Sequence, residues 1–490
     1  MTAVQAPPAF LRRAIGAAVA LSALALYCAS LSGWYSADSI YFALRVRAGT
    51  ISIDAHHLLL NSIAQAWVAL CRAVGWQGQV IHAVQVLNAI AGAATVGLLF
   101  VIAARVTLSH TAAALAALGF AVSGGPWLLS TEGEGATLGL APHLAVLAVL
   151  LHLEAGEPRS PRAAAAVGAA IGLATLCYAI CGLLFFVALL GLWQGRDAQG
   201  TWRRSLRWVC AGMSAVLLPA AIIVYAHQPS LSSLSQSYLG DRMYGHFALD
   251  SVPRGLYAFL RMFLLFPDLG INDSTAAMMR AADLRTRATF LATYAGVAVF
   301  AAIPTFLFWR RRAQWPSGWR QRFVLWTALY AAFAFWWVPS DLEFWLPVTA
   351  AWWLMASLVI ARARMLQFVC AASILCLLAG NWLGLIGPHR HESTYEPLQT
   401  ARAMGHEASA ADALIATPPV SALMELFLAR ESHHLAERNH LDRAVEEART
   451  RTRESGGRIL TDVDLDEEER LRWRATAVLE TPYGTVWQLR

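Results

Sequence analysis

Residues Ala14-Ile15-Gly16-Ala17-Ala18-Val19-Ala20-Leu21-Ser22-Ala23-Leu24-Ala25-Leu26-Tyr27-Cys28-Ala29-Ser30-Leu31-Ser32-Gly33 run for 20 positions without a charge. The chain then changes at once to Trp34-Tyr35-Ser36-Ala37-Asp38-Ser39-Ile40-Tyr41. A bilayer core about 30 Å thick takes roughly 20 apolar residues per helix. The first stretch is thus the right length for a membrane span, and the second puts aromatics and an acid at its exit. A cleaved signal peptide is the alternative, with Ala29-Ser30-Leu31-Ser32 as the cleavage region. Such apolar regions run only about 7–15 residues, so the span is the better fit.

The same pattern recurs along most of the chain. Of 490 residues 57% are hydrophobic and 14% charged, against about 25% charged in soluble proteins. Residues 1–386 hold 14 of the 32 acids, and the last 104 hold 18. A single soluble domain, a disordered chain and a fibrous protein are excluded. The expected fold is an all-α polytopic membrane domain over 1–386 and a small soluble α/β domain over 387–490. Apolar runs place 11 spans near 14–33, 80–104, 108–129, 138–153, 163–177, 182–194, 205–226, 288–309, 323–338, 344–361 and 365–386. The apolar stretch 163–194 is too long for one simple span and breaks between Tyr178 and Gly182.

Charge gives the orientation. Lysine is absent, so all 38 basic residues are Arg. With the N-terminus in the cytoplasm, alternating spans put 16 Arg and three acids on the cytoplasmic side; the outer loops receive nine Arg and 11 acids. That asymmetry is the positive-inside pattern. It places the protein in the cytoplasmic (inner) membrane with the C-terminal domain outside. The net charge of +6 lies at cytoplasmic loops, which argues against a nucleic-acid partner. The seven Cys all lie in the apolar body without paired ligand spacing, so they read as small membrane residues.

The outer face collects the polar chemistry. A long loop over 34–79 carries Asp38, Tyr41, Arg45, Asp54, His56 and His57, with an apolar 58–74 that suits a helix lying in the interface. A short loop reads Ser130-Thr131-Glu132-Gly133-Glu134-Gly135. A second long loop over 227–287 carries Asp241 and Arg242, then an apolar piece, Leu256 to Phe266, too short to span. A last turn contains Asp341-Leu342-Glu343. Charge at membrane depth is costly and marks a pathway or a site. The blander alternative for each acid is a solvated rim with structural ion pairs.

A first span followed by Gly33-Trp34-Tyr35, Asp38-Ser39-Ile40-Tyr41, a His56-His57-Leu58-Leu59 step, about a dozen spans and a soluble outer tail resembles the GT-C superfamily of polytopic glycosyltransferases. That superfamily includes protein mannosyltransferases and aminoarabinose transferases. The resemblance covers the layout of residues 10–390. It implies transfer of a sugar from a polyprenyl-phosphate-linked donor to a glycan, lipid or protein acceptor on the outer face. Asp38 would be the catalytic base or an acid near a metal. Relatives often have two acids there, and here Ser39 stands second. The second acid would then come from Glu132 or Glu134.

Such a reaction needs an apolar groove for the isoprenoid, Arg or backbone N–H groups for the phosphate, and a carboxylate within reach of the acceptor hydroxyl. One base and a single displacement predict inversion. Tyr41, Arg45, His56, His57, Glu132, Glu134, Asp241, Arg242, Asp341 and Glu343 are the substrate-binding candidates. A divalent cation could be held by Asp38, Glu132, Glu134 and His56. A lipid or small-solute transporter is the alternative function, but transporters place their polar sites near the midplane between repeats. In the tail, Leu414–Thr417 and Arg458–Asp462 read as strands, Pro419–Ala429 and Leu441–Arg453 as helices, and Gly484–Leu489 as an edge strand.

Overall fold

The computed structural model describes residues 9–49, 58–154, 160–194, 201–227, 249, 251–265, 282–311, 317–430, 432–435, 440–481 and 484–489. Asp54, His56, His57, Asp241 and Arg242 lie outside these residues.

Helix α1 (Ala9–Ala29) is the first apolar run. Then come α2 (Ala37–Ala48), α3 (Leu60–Ala73) and α4 (Val80–Thr107). The stretch read as one span over 108–129 is two helices, α5 (His110–Val122) and α6 (Gly124–Thr131), bent by 61°. The physical reason lies at the break. Pro126 has no N–H and favours the first turn of a new helix. The N–H groups of Gly124 and Gly125 donate to the carbonyls of Phe263 and Met262, each at 3.0 Å. Buried Asn381 braces the same place. Its Nδ2 donates to Val122 O (2.8 Å) and Phe263 O (2.9 Å), and its Oδ1 accepts from Leu265 N (2.8 Å). Non-helical backbone at membrane depth persists only where such partners satisfy it.

The chain continues through α7 (Ala136–Glu154), α8 (Pro161–Cys177), a 3-10 turn at Ala179–Leu183, α9 (Leu184–Gln194), α10 (Thr201–His227) and α11 (Ser251–Arg261). The break expected after Tyr178 is that turn. Next are α12 (Leu284–Arg310), α13 (Ser317–Trp336), α14 (Leu342–Ile360) and α15 (Arg364–Asn381), the last prolonged by a π-turn to His389.

Among the described residues, six helices are long and apolar enough to cross a membrane, or seven if α5 and α6 count as one bent span. The chain is an integral membrane protein. Helices α8 and α9 and the apolar part of α7 (Ala136–Leu151) are shorter. Helix α13 is long enough but carries Arg320 and Arg322 near its start. Helix α14 is apolar on every side, so it sits at the centre with Trp353 fully buried. Helices α10 and α12 present most of their apolar surface outward, as lipid-facing helices do.

The last hundred residues form a small α/β unit. Its helices are α16 (Glu396–Glu407), α17 (Pro418–Leu428), α18 (Leu441–Ser455) and α19 (Glu467–Arg472). Its strands are β1 (Ala413–Ala416), β2 (His433–His434), β3 (Ile459–Thr461), β4 (Thr476–Thr481) and β5 (Gly484–Leu489), in the order β2-β1-β3-β5-β4. The β1 pairings with β2 and β3 are parallel; β5 is antiparallel to both β3 and β4. The expectation that β5 is an edge strand is therefore corrected. Val486 and Leu489, three positions apart and so on opposite faces, are both buried, as suits an interior strand, while the outer edge is β4.

Candidate active site

Five carboxylates from three separate stretches meet at one end of the bundle. The first stretch is the strap between α1 and α2. Its Ser32 N–H donates to Thr131 O (3.1 Å), and Gln85 on α4 donates from Nε2 to Ser32 O (2.7 Å). Gly33 N–H donates to His389 O (2.7 Å), and a side chain at Gly33 would strike the backbone of His391 and Glu392 within 2.7 Å. Ser36 then caps α2, accepting from Ser39 N–H (3.1 Å). This fixes Asp38, exposed, in the first turn of α2. Tyr41 and Arg45 follow at i+3 and i+7, which places all three on one face of the helix. Arg45 is exposed and Tyr41 half-buried.

The second stretch is the loop after α6. Glu132 ends the helix, and its carbonyl accepts from Asn88 Nδ2 (2.7 Å). The N–H of Gly133 donates to Ser39 Oγ (3.1 Å), and the Ser36 hydroxyl lies beside the Glu134 carboxylate. Gly135 has φ +82°, a conformation that disfavours any side chain, and a Cβ there would meet Leu60 at 2.6 Å. The third stretch is the start of α14. Asp341 is its N-cap and accepts from Glu343 N–H (3.1 Å).

Glu132, Glu134, Asp341 and Glu343 are deep among protein atoms yet each keeps part of its surface open. Their fields overlap. Glu132 is pushed well above the usual carboxylate range by burial, then by Glu134 and Asp341. Glu134 is pushed up to about 7 by burial, against the Ser36 hydroxyl, with Asp341 and Asp38 adding to the rise. Burial also pushes Asp341 up to about 6, opposed by the Glu343 N–H and by Arg261, and helped by Asp38. Glu343 feels Asp341, Glu134 and Asp38, and the Tyr178 hydroxyl lies beside it. Asp38, Glu132, Glu134, Asp341 and Glu343 are thus one electrostatic unit.

Two neighbours of this unit were not anticipated. Arg261, at the end of α11, is only 8% exposed and faces Asp341. Tyr178 reaches Glu343 from the break after α8. A buried Arg inside an otherwise apolar stretch was the available signal for the first. The site does not draw in Arg47. Its Nη1 donates to the carbonyls of Glu425 (2.7 Å) and Leu426 (3.0 Å) at the end of α17.

The divalent cation expected at Asp38, Glu132, Glu134 and His56 has no complete ligand group among the described residues. Among the described residues, no three His, Cys, Asp or Glu side chains converge as metal ligands. Asp38, Glu132 and Glu134 couple through space without forming such a group, and His56 is outside the described residues.

What remains is an open acid on a helix N-terminus, deeper acids that hold protons near neutrality, and one buried guanidinium. Such a set can take a proton from a hydroxyl, hydrogen-bond a polyol and neutralise an anion.

No family model matches the chain, and no curated protein matches it. Solved structures do. The crystal structure of ArnT from Cupriavidus metallidurans bound to undecaprenyl phosphate aligns with a TM-score of 0.63 at 13% identity, over 96% of this chain and 97% of that one. The Archaeoglobus fulgidus oligosaccharyltransferase in complex with Zn and sulfate aligns at 0.48 and 12% identity, over 97% and 73%. The first likeness gives the fold as the GT-C type.

Proposed function

We propose that this chain, with its GT-C fold, is a membrane glycosyltransferase that moves a sugar from a polyprenyl-phosphate-linked donor to an acceptor at the outer face. The observation that carries the reading is the convergence of Asp38 with Glu132, Glu134, Asp341 and Glu343 beside Arg261, in a fold shared with a protein solved with undecaprenyl phosphate.

Asp38 is the base. Its carboxylate takes the proton of the acceptor hydroxyl as that oxygen attacks the anomeric carbon. The bond from that carbon to the phosphate oxygen breaks, and polyprenyl phosphate leaves with the electron pair. One displacement inverts the anomeric centre. Arg261 meets the charge left on the phosphate. The deeper acids, protonated part of the time near neutral pH, donate hydrogen bonds to sugar hydroxyls. Tyr41 and Arg45 continue the Asp38 face along α2, and the two loops bearing His56 and His57 and bearing Asp241 and Arg242 belong to the same outer side.

The topology in this reading has 11 spans over 1–386 and an extracytoplasmic unit over 387–490. The N-terminus is in the cytoplasm and the membrane is the inner one, as the Arg asymmetry supports. The donor tail lies along lipid-facing apolar surface, and the acceptor is a glycan, lipid or protein.

The test is the Asp38→Asn variant in membranes, with lipid-linked sugars and envelope glycans measured by mass spectrometry. Transfer should fall by about 100-fold or more, with the thermal transition unchanged. Full transfer by a folded variant would remove Asp38 from the role. Loss of no glycan on deleting the protein would sink the function itself.

A further inference from the structure

A second cavity, of about 590 Å³, opens where the Ser32–Tyr35 strap, the start of α4 and the residues after α15 meet. Its lining shares no residue with the five carboxylates. Its chemistry is mixed. Trp76 offers a half-buried ring, and Cys71 a half-buried thiol. Glu392 is fixed by the hydroxyl of Tyr35 (2.7 Å), by His82 Nε2 (3.2 Å) and by Arg402. Those partners hold its carboxyl at about 2, so it is charged under all ordinary conditions; the His82 bond is the largest cause.

At the cavity's floor lies Gln85, with no exposed surface. Its Nε2 is committed to Ser32 O, which settles the amide's orientation. Its Oε1 is buried and has no donor. A buried acceptor without a donor costs roughly 1–3 kcal/mol. A ligand that displaces the wall far enough to bring a hydroxyl or N–H to this atom relieves that cost.

These features select among ligands. An anion gains little here: the Glu392 charge is matched by Arg402, and the Arg390 guanidinium beside it already donates to His391 (3.1 Å) and lies over Trp382. An acyl chain would desolvate Glu392, His82 and Tyr35 without replacing their water. A neutral ring with one apolar face and many hydroxyls suits every wall: its C–H face packs on Trp76, and its hydroxyls meet Gln85 Oε1, Glu392 and His82.

We propose that this cavity binds a sugar ring of the acceptor, so that the acceptor is a glycan or glycolipid and not a protein side chain. The acceptor role rests on the glycosyltransferase reading above; the sugar binding itself does not. The cavity and the acid cluster sit either end of one turn of α4, where Gln85 holds the Ser32 carbonyl and Asn88 holds the Glu132 carbonyl. A sugar held here would sit next to the strap that leads into Asp38.

Cys71 supplies the test. In the full chain with Cys28, Cys210 and Cys376 replaced by Ala, it is the accessible thiol, since Cys177, Cys181 and Cys370 are buried. The protein in phosphatidylcholine nanodiscs is titrated with decyl maltoside or with decyl tetraethylene glycol, and maleimide modification of Cys71 is timed. Decyl maltoside should slow it at least threefold, and the glycol ether should not. Trp76→Ala and Gln85→Leu should each restore the rate, and Trp76 is exposed enough for its variant to fold. Equal rates with both compounds, equal protection by both, or protection that survives Trp76→Ala overturns the proposal. Asp38→Asn should keep the protection while losing transfer. Protection without any transfer in the parent protein would defeat the enzyme reading and leave the cavity's ligand standing. Transfer without protection would defeat the cavity alone.

Discussion

The hydroxyl of Ser39 accepts a hydrogen bond from the backbone N–H of Gly133 at 3.1 Å, joining residues 94 positions apart. It ties the loop of Glu132 and Glu134 to the first turn of α2, where Asp38 sits. Ser36 Oγ donates to the same Ser39 oxygen at 2.8 Å. Ser39 thus links the loop of Glu132 and Glu134 to the turn that carries Asp38.

Ser39→Ala should lower stability by about 1 kcal/mol and turnover by roughly tenfold, because a small misplacement of a catalytic group is costly. Ser39→Thr keeps the hydroxyl and should recover most turnover. Steady-state kinetics of both variants check this. Equal losses in the two would mean packing, not the hydrogen bond, matters at this position.

Arg261→Ala should raise the KM for the lipid-linked donor at least tenfold, which corresponds to about 1.4 kcal/mol. Arg261→Lys, with a point charge in place of the planar fork, should fall between. Removing the cation should also push the Asp341 carboxyl higher, since Arg261 now opposes its rise. An unchanged donor KM in the Ala variant would take the phosphate contact away from this residue.

Glu134 and Asp341 are raised to about 7 and about 6, from ordinary values of 4.5 and 3.8. Raised acids favour the folded state most while protonated. Their contribution is fully present below about pH 4 and is lost as pH rises through 6 and 7. Thermal stability should therefore decline across that window. Asp341→Asn removes one titrating group and one repulsive neighbour of Glu134, so the decline should become smaller and end at lower pH. Unfolding scans from pH 4 to 8 on both proteins measure it, and parallel curves would refute the coupling.

Glu392 shows the opposite sign. Its carboxyl is held at about 2, below its ordinary 4.5. The stabilisation is present above about pH 4.5 and is lost as pH falls toward 2. Glu392→Gln should cost about 1–2 kcal/mol, allowing for the quarter of the side chain that stays exposed. It should also speed proteolysis near residues 387–395, where the α/β unit joins the bundle. A protease-resistant junction in this variant would show that the Arg47 bonds to Glu425 and Leu426 and the bond from the Tyr395 hydroxyl to Tyr35 O (2.7 Å) suffice to hold the unit.

The sequence disclosed much of this. Apolar runs marked the helices, and the acids at 38, 132, 134, 341 and 343 were identified because charge stands out against such a background. Arg261 escaped notice because its neighbours, Phe259-Leu260 and Met262-Phe263, make the stretch read as apolar filler. The break at Ser123 was hidden for a similar reason: the residues on both sides are hydrophobic, and the partners that stabilise it, Asn381 and the Met262–Leu265 backbone, lie far along the chain. The role of Ser39 depends on a bond to a backbone group, which leaves no pattern in residue types. Strand β4, Thr476–Thr481, lacks the clean alternation that revealed β5, because its side chains stay largely exposed.

The ties between Ser32 and Thr131 and between Gly33 and His389 run from peptide group to peptide group. Every residue but proline carries that donor, and all carry that acceptor. Mutation at Ser32, Thr131 or His389 can therefore change the lettering around the acids while the seam that gathers them stays sewn; Gly33, where no side chain fits, is the one fixed stitch. Lineages that diverge in this way would keep the shape of the hollow long after a sequence comparison had lost the thread.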